Sequence, residues 1–396
     1  MKILIIFIIV LILASCPDAE SELDPETIDL NLLAGKAKPQ EQWGIFTVNF
    51  PNNIGNAITG DPKTSRTITW QSSLRNGEVI IGQTTYPSTS ILYNRQFFHR
   101  VDVHGLEPGQ SYSYIAGWKD AYSPVYNFKT ENADNSAGFT VLHLSDQHVE
   151  FINDEESAAV WKRVMESALR TSPNAAFVVN TGDITEDNDE AAILLYFDYA
   201  QEILAKLAFV YSLGNNDMPS WYNRYFYTPD SGHGGLMYAF NYGNALFISI
   251  DSNVPAYTED QLVWLENTLK NTNQTWKVGI THDGDYGRNN RNTEITKLFD
   301  QYNVDLVMAG HNHFYARSKP IDTEGNEKLN GTVWSIPNAA GTKFNPVSGR
   351  NHLAVDEQPN LPMFSEFRFT GTNIYLNAYT VDEEGNASLF DSYTFR

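Results

Sequence analysis

Short apolar runs alternate with amphipathic stretches along the chain from residue 132 to the end. Five of the apolar runs have the length and composition of buried strands: 139–144, 176–180, 208–213, 277–281 and 304–309. Between them, Val160, Val164 and Ala168 recur at the spacing of one helix face. Residues 258–261 have the pattern of a capping box that opens a second helix. Strands that alternate with helices predict an α/β core.

The preceding segment, residues 41–131, has a different pattern. Its strand-like runs are short and separated by Gly, Pro and Asn: 67–70, 79–81, 97–103, 111–117 and 125–129. Such runs, with a Leu-Glu-Pro-Gly turn at 106–109 before Tyr112, predict an all-β sandwich. Because the candidate metal ligands described below all lie outside it, we expect a packing or spacer module.

The N-terminus has the pattern of an export signal. Lys2 precedes an apolar run, residues 3–13, that is too short to span a bilayer well. The run ends at LASC (13–16), which resembles the lipobox of bacterial lipoproteins, and Cys16 is the only cysteine of the chain. We therefore expect residues 1–16 to be a signal peptide with a lipobox, and the exported protein to be held at the outer membrane or cell surface by a lipid on Cys16. Plain cleavage and secretion is the alternative.

Charge narrows the choice of partners. Residues 17–40 are polar and rich in Asp and Glu, which predicts a flexible acidic linker. The formal net charge of the chain is −21, and the sequence shows none of the Lys and Arg clusters that bind phosphate backbones, so no nucleic-acid-binding surface is expected. A small anionic phosphate ester remains compatible with this charge where bound metals supply local positive charge.

Potential metal ligands follow the strand-like runs in a fixed order. The motifs are Asp146-Gln147-His148, Gly182-Asp183, Gly214-Asn215-Asn216-Asp217, Thr281-His282 and Gly310-His311-Asn312-His313. Their carboxylate, amide and imidazole donors suit Mn, Fe, Zn or Co. Because each motif ends a predicted strand, the donors should meet at the carboxyl edge of the sheet, where α/β proteins bind ligands. The glycines would let the backbone turn sharply beside a metal cluster.

These motifs resemble those of the calcineurin-like metallophosphoesterases, and within them the purple acid phosphatases. The resemblance implies a two-sheet metallophosphoesterase sandwich flanked by helices over residues 132–396. It also makes the 41–131 segment similar to the fibronectin type III-like domain that precedes the catalytic domain of purple acid phosphatases. Further apolar runs would supply strands of the two sheets: 245–250, 332–336, 364–369 and 374–379.

The resemblance assigns a role to each candidate ligand. It implies two transition-metal ions that polarise a phosphoester and activate a water, with Asp183 as the carboxylate that bridges them. The first ion would be bound by Asp146, His148 and His313. The second would be bound by Asn215, His282 and His311.

Other residues near the motifs have less certain roles. Tyr315 and Arg317 follow the last motif in a stretch, 310–320, that is also similar to purple acid phosphatases; they would line the substrate mouth, or Tyr315 would pack in the core. His143 lies within an apolar run and is expected to point into the core. His233, in the glycine-rich segment 231–235, would contact substrate or lie in a surface loop.

Two positions depart from the purple acid phosphatase pattern. Glu186 stands where iron-binding members have a tyrosine, and the first motif carries His148 instead, so the site is expected to be colourless. Asn216 stands where the family has a histidine that protonates the leaving group, and an amide cannot supply that proton. The candidate catalytic residues are Asn216, Asp217 and His233.

The leading interpretation is dinuclear metal-dependent hydrolysis of phosphoesters outside the cytoplasm. The enzyme would be a phosphomonoesterase or phosphodiesterase acting on a phosphorylated small molecule or macromolecule. Asn216 leaves open a metal-holding but catalytically weak protein that binds a phosphorylated ligand. A structural or adhesive protein that works through its sandwich domain is a third hypothesis. The full set of seven ligands favours the enzyme.

Overall fold

The computed structural model describes residues 49–150, 155–186, 190–217, 219–229, 231–284, 293–347 and 349–395. The predicted signal peptide (1–16) and acidic linker (17–40) therefore lie outside the described residues. Within the described residues, no helix is both long and apolar enough to cross a bilayer. The chain forms an N-terminal β-sandwich followed by a two-sheet α/β domain, which confirms the predicted fold class.

The N-terminal sandwich packs two antiparallel sheets against each other. One sheet has the order β1-β2-β6-β5, and the other the order β4-β3-β7-β8 with β9 also paired to β7. Alternate residues such as Ile68, Trp70 and Tyr114 point inward and form its core. The strands are β1 (Asn52–Ala57), β2 (Ser65–Ser72), β3 (Glu78–Ile81), β4 (Thr84–Pro87), β5 (Thr89–Tyr93), β6 (Gln96–His104), β7 (Ser111–Trp118), β8 (Ala121–Tyr122) and β9 (Tyr126–Lys129).

The first sheet of the α/β domain has the order β12-β11-β10-β20-β21-β22. Its strands are β10 (Phe139–Leu144), β11 (Phe177–Asn180), β12 (Ala208–Tyr211), β20 (Met363–Phe369), β21 (Ile374–Val381) and β22 (Ala387–Phe395). β10, β11 and β12 are parallel, and β20 joins β10 in antiparallel pairing. The three parallel strands therefore end at the same edge of the sheet.

The second sheet has the order β13-β14-β15-β16-β18-β17-β19. Its strands are β13 (Tyr238–Tyr242), β14 (Ala245–Ser249), β15 (Trp276–Asp283), β16 (Leu306–Gly310), β17 (Tyr315–Ser318), β18 (Val333–Ile336) and β19 (Leu353–Glu357). β14, β15, β16 and β18 run parallel. This sheet thus also gathers several strand ends at one edge.

Helices cover the outer face of each sheet. They are α1 (Glu155–Thr171), α2 (Ala192–Lys206), α3 (Pro219–Tyr225), α4 (Glu259–Lys270) and α5 (Thr293–Gln301). Along β10, Val141 points into the apolar layer between the two sheets, whereas Leu142 and Leu144 pack under α1 and α2. A strand that is buried on both faces consists of an unbroken run of apolar residues. The apolar run at 139–144 therefore predicted β10 correctly. The predicted capping box is present: Thr258 and Gln261 exchange hydrogen bonds at the start of α4.

α2 joins the two domains. The side chain of Gln201 accepts from the backbone N–H of Ile54 (2.9 Å) and donates to its carbonyl (2.8 Å). Tyr114 Oη donates to the carbonyl of Ala205 at 2.7 Å. Buried hydrogen bonds of this kind fix the sandwich against the α/β domain beside α2.

Candidate metal centre

All seven candidate ligands lie at or within four residues of strand ends, where the carboxyl edges of the two sheets meet, and His148 shares the loop after β10 with Asp146. Asp146, Asp183 and Asn215 come shortly after β10, β11 and β12 of the first sheet. His282 lies near the end of β15, and His311 directly follows β16 in the second sheet. His313 is supplied by the same loop as His311. The fold therefore places the predicted donors at the expected edge.

The donor atoms form two groups that share Asp183. In the first group all ligand atoms lie within 4.8 Å of one another, and its members are Asp146, His148, Asp183 and His313. The second, equally compact group consists of Asp183, His282 and His311. Asn215 Oδ1 lies 3.1 Å from His282 Nε2 and so joins the second group. The donors fit two metal ions bridged by one carboxylate.

Hydrogen bonds directed away from the centre orient two of the imidazoles. His282 Nδ1 donates to the carbonyl of Thr181 at 2.7 Å, so that His282 Nε2 faces Asp183 at 3.2 Å. His148 Nδ1 donates to Glu186 at 2.5 Å, and His148 Nε2 lies 3.5 Å from Asp183. Proteins use such hydrogen bonds to fix the tautomer and direction of metal-binding histidines.

The backbone is strained at five of the seven candidate ligands. Their φ angles are 57° at Asp146, 46° at His148, 51° at Asp183, 74° at His311 and 53° at His313. Side-chain-bearing residues rarely adopt this left-handed region, which costs about 1–3 kcal/mol per residue. Because the rest of the fold must hold these conformations in place, their concentration in one cluster indicates a functional site.

Two buried carboxylates make the cluster attract positive charge. Burial opposes ionisation of Asp146 and Asp183, yet the neighbouring histidines hold the pKa of Asp183 at about 2 and that of Asp146 well below its usual range. Burial likewise opposes protonation of His148 and His282. The carboxylates nevertheless raise the pKa of His148 to about 9 and that of His282 to about 10. Bound cations would supply the positive charge that this cluster favours.

A cleft of about 610 Å³ opens onto the cluster. Its walls include several candidate ligands together with Glu186, Asn216 and Asn312. The loop that follows β18 contributes Lys343, Asn345, Pro346, Val347 and Arg350. A small substrate in this cleft would therefore contact amide, cationic and apolar groups beside the donors.

Comparisons with known proteins agree with this geometry. Residues 139–315 match the family model of the calcineurin-like phosphoesterases. These residues form a calcineurin-like phosphoesterase domain. Residues 51–130 match the model of the purple acid phosphatase N-terminal domain. The resemblance drawn from the sequence is therefore confirmed for both domains.

Relatives of this chain include acid phosphatases. Acid phosphatase type 7 of Mus musculus is 23% identical over 324 residues, which cover 68% of this chain and 71% of that protein. Fe(3+)-Zn(2+) purple acid phosphatase 12 of Arabidopsis thaliana is 28% identical over 200 residues, or 43% and 42% of the two chains. The structure of purple acid phosphatase PPD1 from Lupinus luteus seeds superposes with a TM-score of 0.73 at 17% identity, over 87% of this chain and 74% of that one. That likeness shows a shared fold.

The two residues that depart from the purple acid phosphatase pattern have defined contacts. Asn216 holds Asp183: its backbone N–H donates to Oδ1 at 2.7 Å and its amide donates to Oδ2 at 2.9 Å. Glu186 accepts from His148 and also pairs with Lys343 Nζ at 2.5 Å. Hydrogen bonding and ion pairing with His148 and Lys343 lower the pKa of Glu186 to about 2.

The other two candidate catalytic residues are not on the cleft wall. Asp217 is buried, and its carboxylate accepts from the backbone N–H groups of Gly214 and Ile184, both at 3.0 Å. It therefore supports the turns that carry the ligands. His233 packs edge-on against Trp264, with ring centroids 5.5 Å apart, because its glycine-rich loop directs it toward α4. Neither Asp217 nor His233 lines the described cleft, so the structure gives no support for contact between either residue and substrate.

Three further sequence expectations have clear structural outcomes. His143 is buried and hydrogen-bonds to Thr181 through Nε2 at 3.1 Å, as expected of a core residue. Tyr315 and Arg317 do not line the substrate mouth. Both side chains donate to Asp391 on β22 at 2.8 Å, so they tie the two sheets together away from the cleft.

Lys343, Asn345 and Arg350 were not identified from the sequence, although they line the cleft. They lie in a loop without hydrophobic periodicity. The only local signal is that this loop follows β18, the strand next to β16 in the second sheet. Loops after parallel strands often form ligand sites, but this rule does not say which side chains face the metal centre.

Proposed function

We propose that this protein hydrolyses phosphoesters at a dinuclear metal centre held by the seven clustered residues. The observation that carries the proposal is the pair of donor groups that share Asp183 at the base of an open cleft. When bound, the two metals would polarise a phosphoester and activate water for attack. Carboxylate, amide and imidazole donors suit Mn, Fe, Zn or Co, and one relative is named for Fe(3+) and Zn(2+).

The proposed ligand roles follow the geometry. Asp183 would bridge both ions, Asp146, His148 and His313 would bind one, and Asn215, His282 and His311 would bind the other. The chain's other groups position these donors. Asn216 holds Asp183, Glu186 orients His148, and the Thr181 carbonyl orients His282.

Metal content and hydrolysis test the proposal together. Protein purified without chelator should contain about two transition-metal ions per chain, and should hydrolyse a chromogenic phosphomonoester or phosphodiester when Mn, Zn, Fe or Co is supplied. Asp183→Asn should lose at least one ion and most of the activity, because the shared carboxylate is removed. Asp134→Asn, an exposed aspartate before β10, is the matched control and should retain both. Only trace metal in wild-type protein under metal-replete conditions would reject the proposal.

The amide at 216 favours one alternative: a protein that holds metals and binds a phosphorylated ligand but turns it over slowly. Losing a general acid costs a factor of about a hundred to ten thousand in rate when the leaving group needs a proton. We therefore expect aryl phosphates, whose leaving groups are acidic, to be hydrolysed much faster than alkyl phosphates. Asn216→His should narrow that gap. Failure to hydrolyse either class at full metal occupancy would favour the binding-protein alternative.

We also propose that the mature protein is exported and lipid-anchored at Cys16. The motif LASC at 13–16, after an apolar run of export-signal length, supports this location. Wild-type protein should partition into the detergent phase, whereas Cys16→Ala should be released. A soluble wild-type protein with a mature N-terminus elsewhere would indicate an ordinary cleaved signal and secretion.

A further inference from the structure

One wall of the cleft is a short segment that ends in an exposed apolar side chain. Residues 343–347, which we name the 343–347 wall, follow β18 and contribute Lys343, Asn345, Pro346 and Val347 to the cleft lining. Val347 is 44% exposed, although valine is usually among the most buried residue types. A cation and an exposed apolar side chain thus line the same cleft as the candidate ligands.

The 343–347 wall is fixed to the loops that carry candidate ligands. Asn345 donates from its backbone to the carbonyl of His313 at 3.0 Å and from its amide to the carbonyl of Asn312 at 3.3 Å. Gln358 Nε2 reaches the carbonyls of both His313 (2.6 Å) and Asn345 (2.8 Å). Three residues before the wall, the backbone N–H of Ala340 donates to the carbonyl of Ser145 at 2.8 Å. These hydrogen bonds therefore fix the position of the wall relative to the metal centre before a substrate binds.

The carboxylate of Glu186 lies between Lys343 and the candidate ligand His148. Lys343 Nζ is 2.5 Å from Glu186 Oε2, the same oxygen that accepts from His148 Nδ1. Glu150 Oε1 is farther away, at 3.9 Å. The Lys343 side chain is 39% exposed, and an ammonium has three N–H donors. Lys343 can therefore keep its contact with Glu186 and still donate to a ligand in the cleft.

Two polar side chains outside the 343–347 wall, those of Asn216 and Arg350, also line the cleft. The amide of Asn216 is already used to hold Asp183. Arg350 is a second cation that lines the cleft, but Lys343 is the one whose contact with Glu186 places it beside the candidate ligand His148. An ammonium beside an anionic oxygen forms a charge-assisted hydrogen bond, about twice as strong as a neutral one.

We propose that the 343–347 wall is the substrate-recognition element of this site. Lys343 binds a phosphoryl oxygen, and Pro346 with Val347 packs against the organic group of the ester. The inference rests on the proposed phosphoesterase function. Lys343 then favours the doubly charged phosphoryl group of a monoester over the singly charged group of a diester. The apolar end of the wall favours aryl and other apolar leaving groups over small alkyl ones.

The first test removes the charge of Lys343. Lys343→Met, in metal-loaded protein, should raise KM for an aryl phosphomonoester and the dissociation constant of inorganic phosphate by about tenfold to a hundredfold, the range for a lost hydrogen bond to a charged group. The effect on kcat and on KM for the matching diester should be smaller. Lys343→Arg should restore most of the monoester affinity. Lys319→Met, whose lysine is 42% exposed and pairs with Glu327 elsewhere on the surface, is the matched control.

The second test shortens the apolar end of the wall. Val347→Ser should raise KM for the aryl monoester several-fold and leave KM for a methyl phosphate nearly unchanged, since only the aryl group is large enough to bury the valine side chain. Val263→Ser on α4, where valine is 48% exposed, should change neither value. Equal effects of Val347→Ser on both esters would show that the wall does not contact the organic group.

The outcomes separate this inference from the proposed function. If the metal-loaded protein hydrolyses esters but Lys343→Met leaves KM and phosphate affinity unchanged, the recognition role is wrong and the phosphoesterase function stands. If Lys343→Met loses metal, Lys343 acts through Glu186 and His148, which also overturns the recognition role. If no ester is hydrolysed but calorimetry shows phosphate binding that depends on Lys343, the recognition role stands and the catalytic proposal fails.

Discussion

Glu186 connects the metal centre to the substrate cleft. Its carboxylate accepts one hydrogen bond from His148 on the metal side and one from Lys343 on the cleft side. The sequence identified this position only as the place where a tyrosine is missing. In the structure, its carboxylate lies between His148 and Lys343, so a residue that cannot give a coloured phenolate complex has a positioning role instead. A single sequence could not show this, because Lys343 lies far along the chain in an irregular loop. The absence of colour stays a prediction.

We predict that Glu186→Gln weakens metal binding about 10–100-fold, the usual effect of removing the partner that orients a histidine ligand. The amide can still accept a hydrogen bond from His148, but it no longer carries the charge that makes the imidazole a stronger donor to the metal. Competition with a chelator measures the change. Glu327→Gln, at a surface pair with Lys319, should bind metal like the wild type. Unchanged affinity in Glu186→Gln would show that His148 is oriented by its packing alone.

His99 gives the N-terminal sandwich a pH-dependent stability. It is buried, stacks on Trp70 with ring centroids 4.8 Å apart, and lies 3.0 Å from the carbonyl of Leu74 through Nε2. Burial lowers its pKa to about 4, although the hydrogen bond to Leu74 opposes this shift. The unfolded chain, with a histidine pKa of about 6.5, therefore binds more protons between these two values.

The contribution of neutral His99 to the free energy of unfolding should be fully present above pH 6.5. It should be lost as the pH falls from 6.5 to 4. The loss is at most about 3–4 kcal/mol, at about 1.4 kcal/mol per unit of pKa difference. Urea unfolding followed by tryptophan fluorescence measures it at both pH values. His99→Gln should show a smaller loss over the same interval. An identical loss in both proteins would mean that other groups control acid sensitivity.

At the scale of elements, the sequence located strands better than helices. Strands such as β10 and β16 are buried on both faces and so are short, continuous apolar runs bounded by glycine or polar residues. α2 was missed because its polar face, Asp198, Glu202 and Lys206, begins only near its middle. Its first part is a run of apolar residues buried among α1, the first sheet and the N-terminal domain, which gives no helical period. The burial of α2 depends on contacts with residues 147 and 91 positions away along the chain. No local pattern encodes those contacts.

Gly310 ends β16 where the strand passes closest to the first ligand loop. A Cβ there would collide with Ser145 Oγ and lie 2.7 Å from Asp146 Oδ2. Gly310→Ala should therefore displace Asp146 and lower metal content and activity by at least tenfold, with a far smaller effect on secondary structure by circular dichroism. Gly371→Ala is the matched control, since a Cβ there meets nothing within 4 Å. If Gly310→Ala binds metal normally, the ligand loop is more adaptable than the packing indicates.

At the scale of the whole molecule, the candidate metal centre connects two sheets. The first sheet supplies Asp146, Asp183 and Asn215, and the second supplies His282 and His311. The motif order predicted this convergence because parallel strands end at a common edge. The same reasoning did not find the 343–347 wall, because its place depends on hydrogen bonds to the 312–313 loop rather than on strand order.

Removing the metals should therefore loosen the junction of the two sheets and leave the N-terminal sandwich folded. Ions that bind only the native state at about a thousand times their dissociation constant contribute about 4 kcal/mol of stability. A strong chelator should lower the thermal midpoint, and Asp183→Asn should respond less because its shared carboxylate is gone. Hydrogen exchange should increase in the ligand loops at 145–149, 181–186 and 310–314, while β2 and β6, whose core is formed within the sandwich, keep their protection. Equal loss of protection in both domains would show that the α2 interface transmits the destabilisation, and no change would show that the fold does not depend on bound metal.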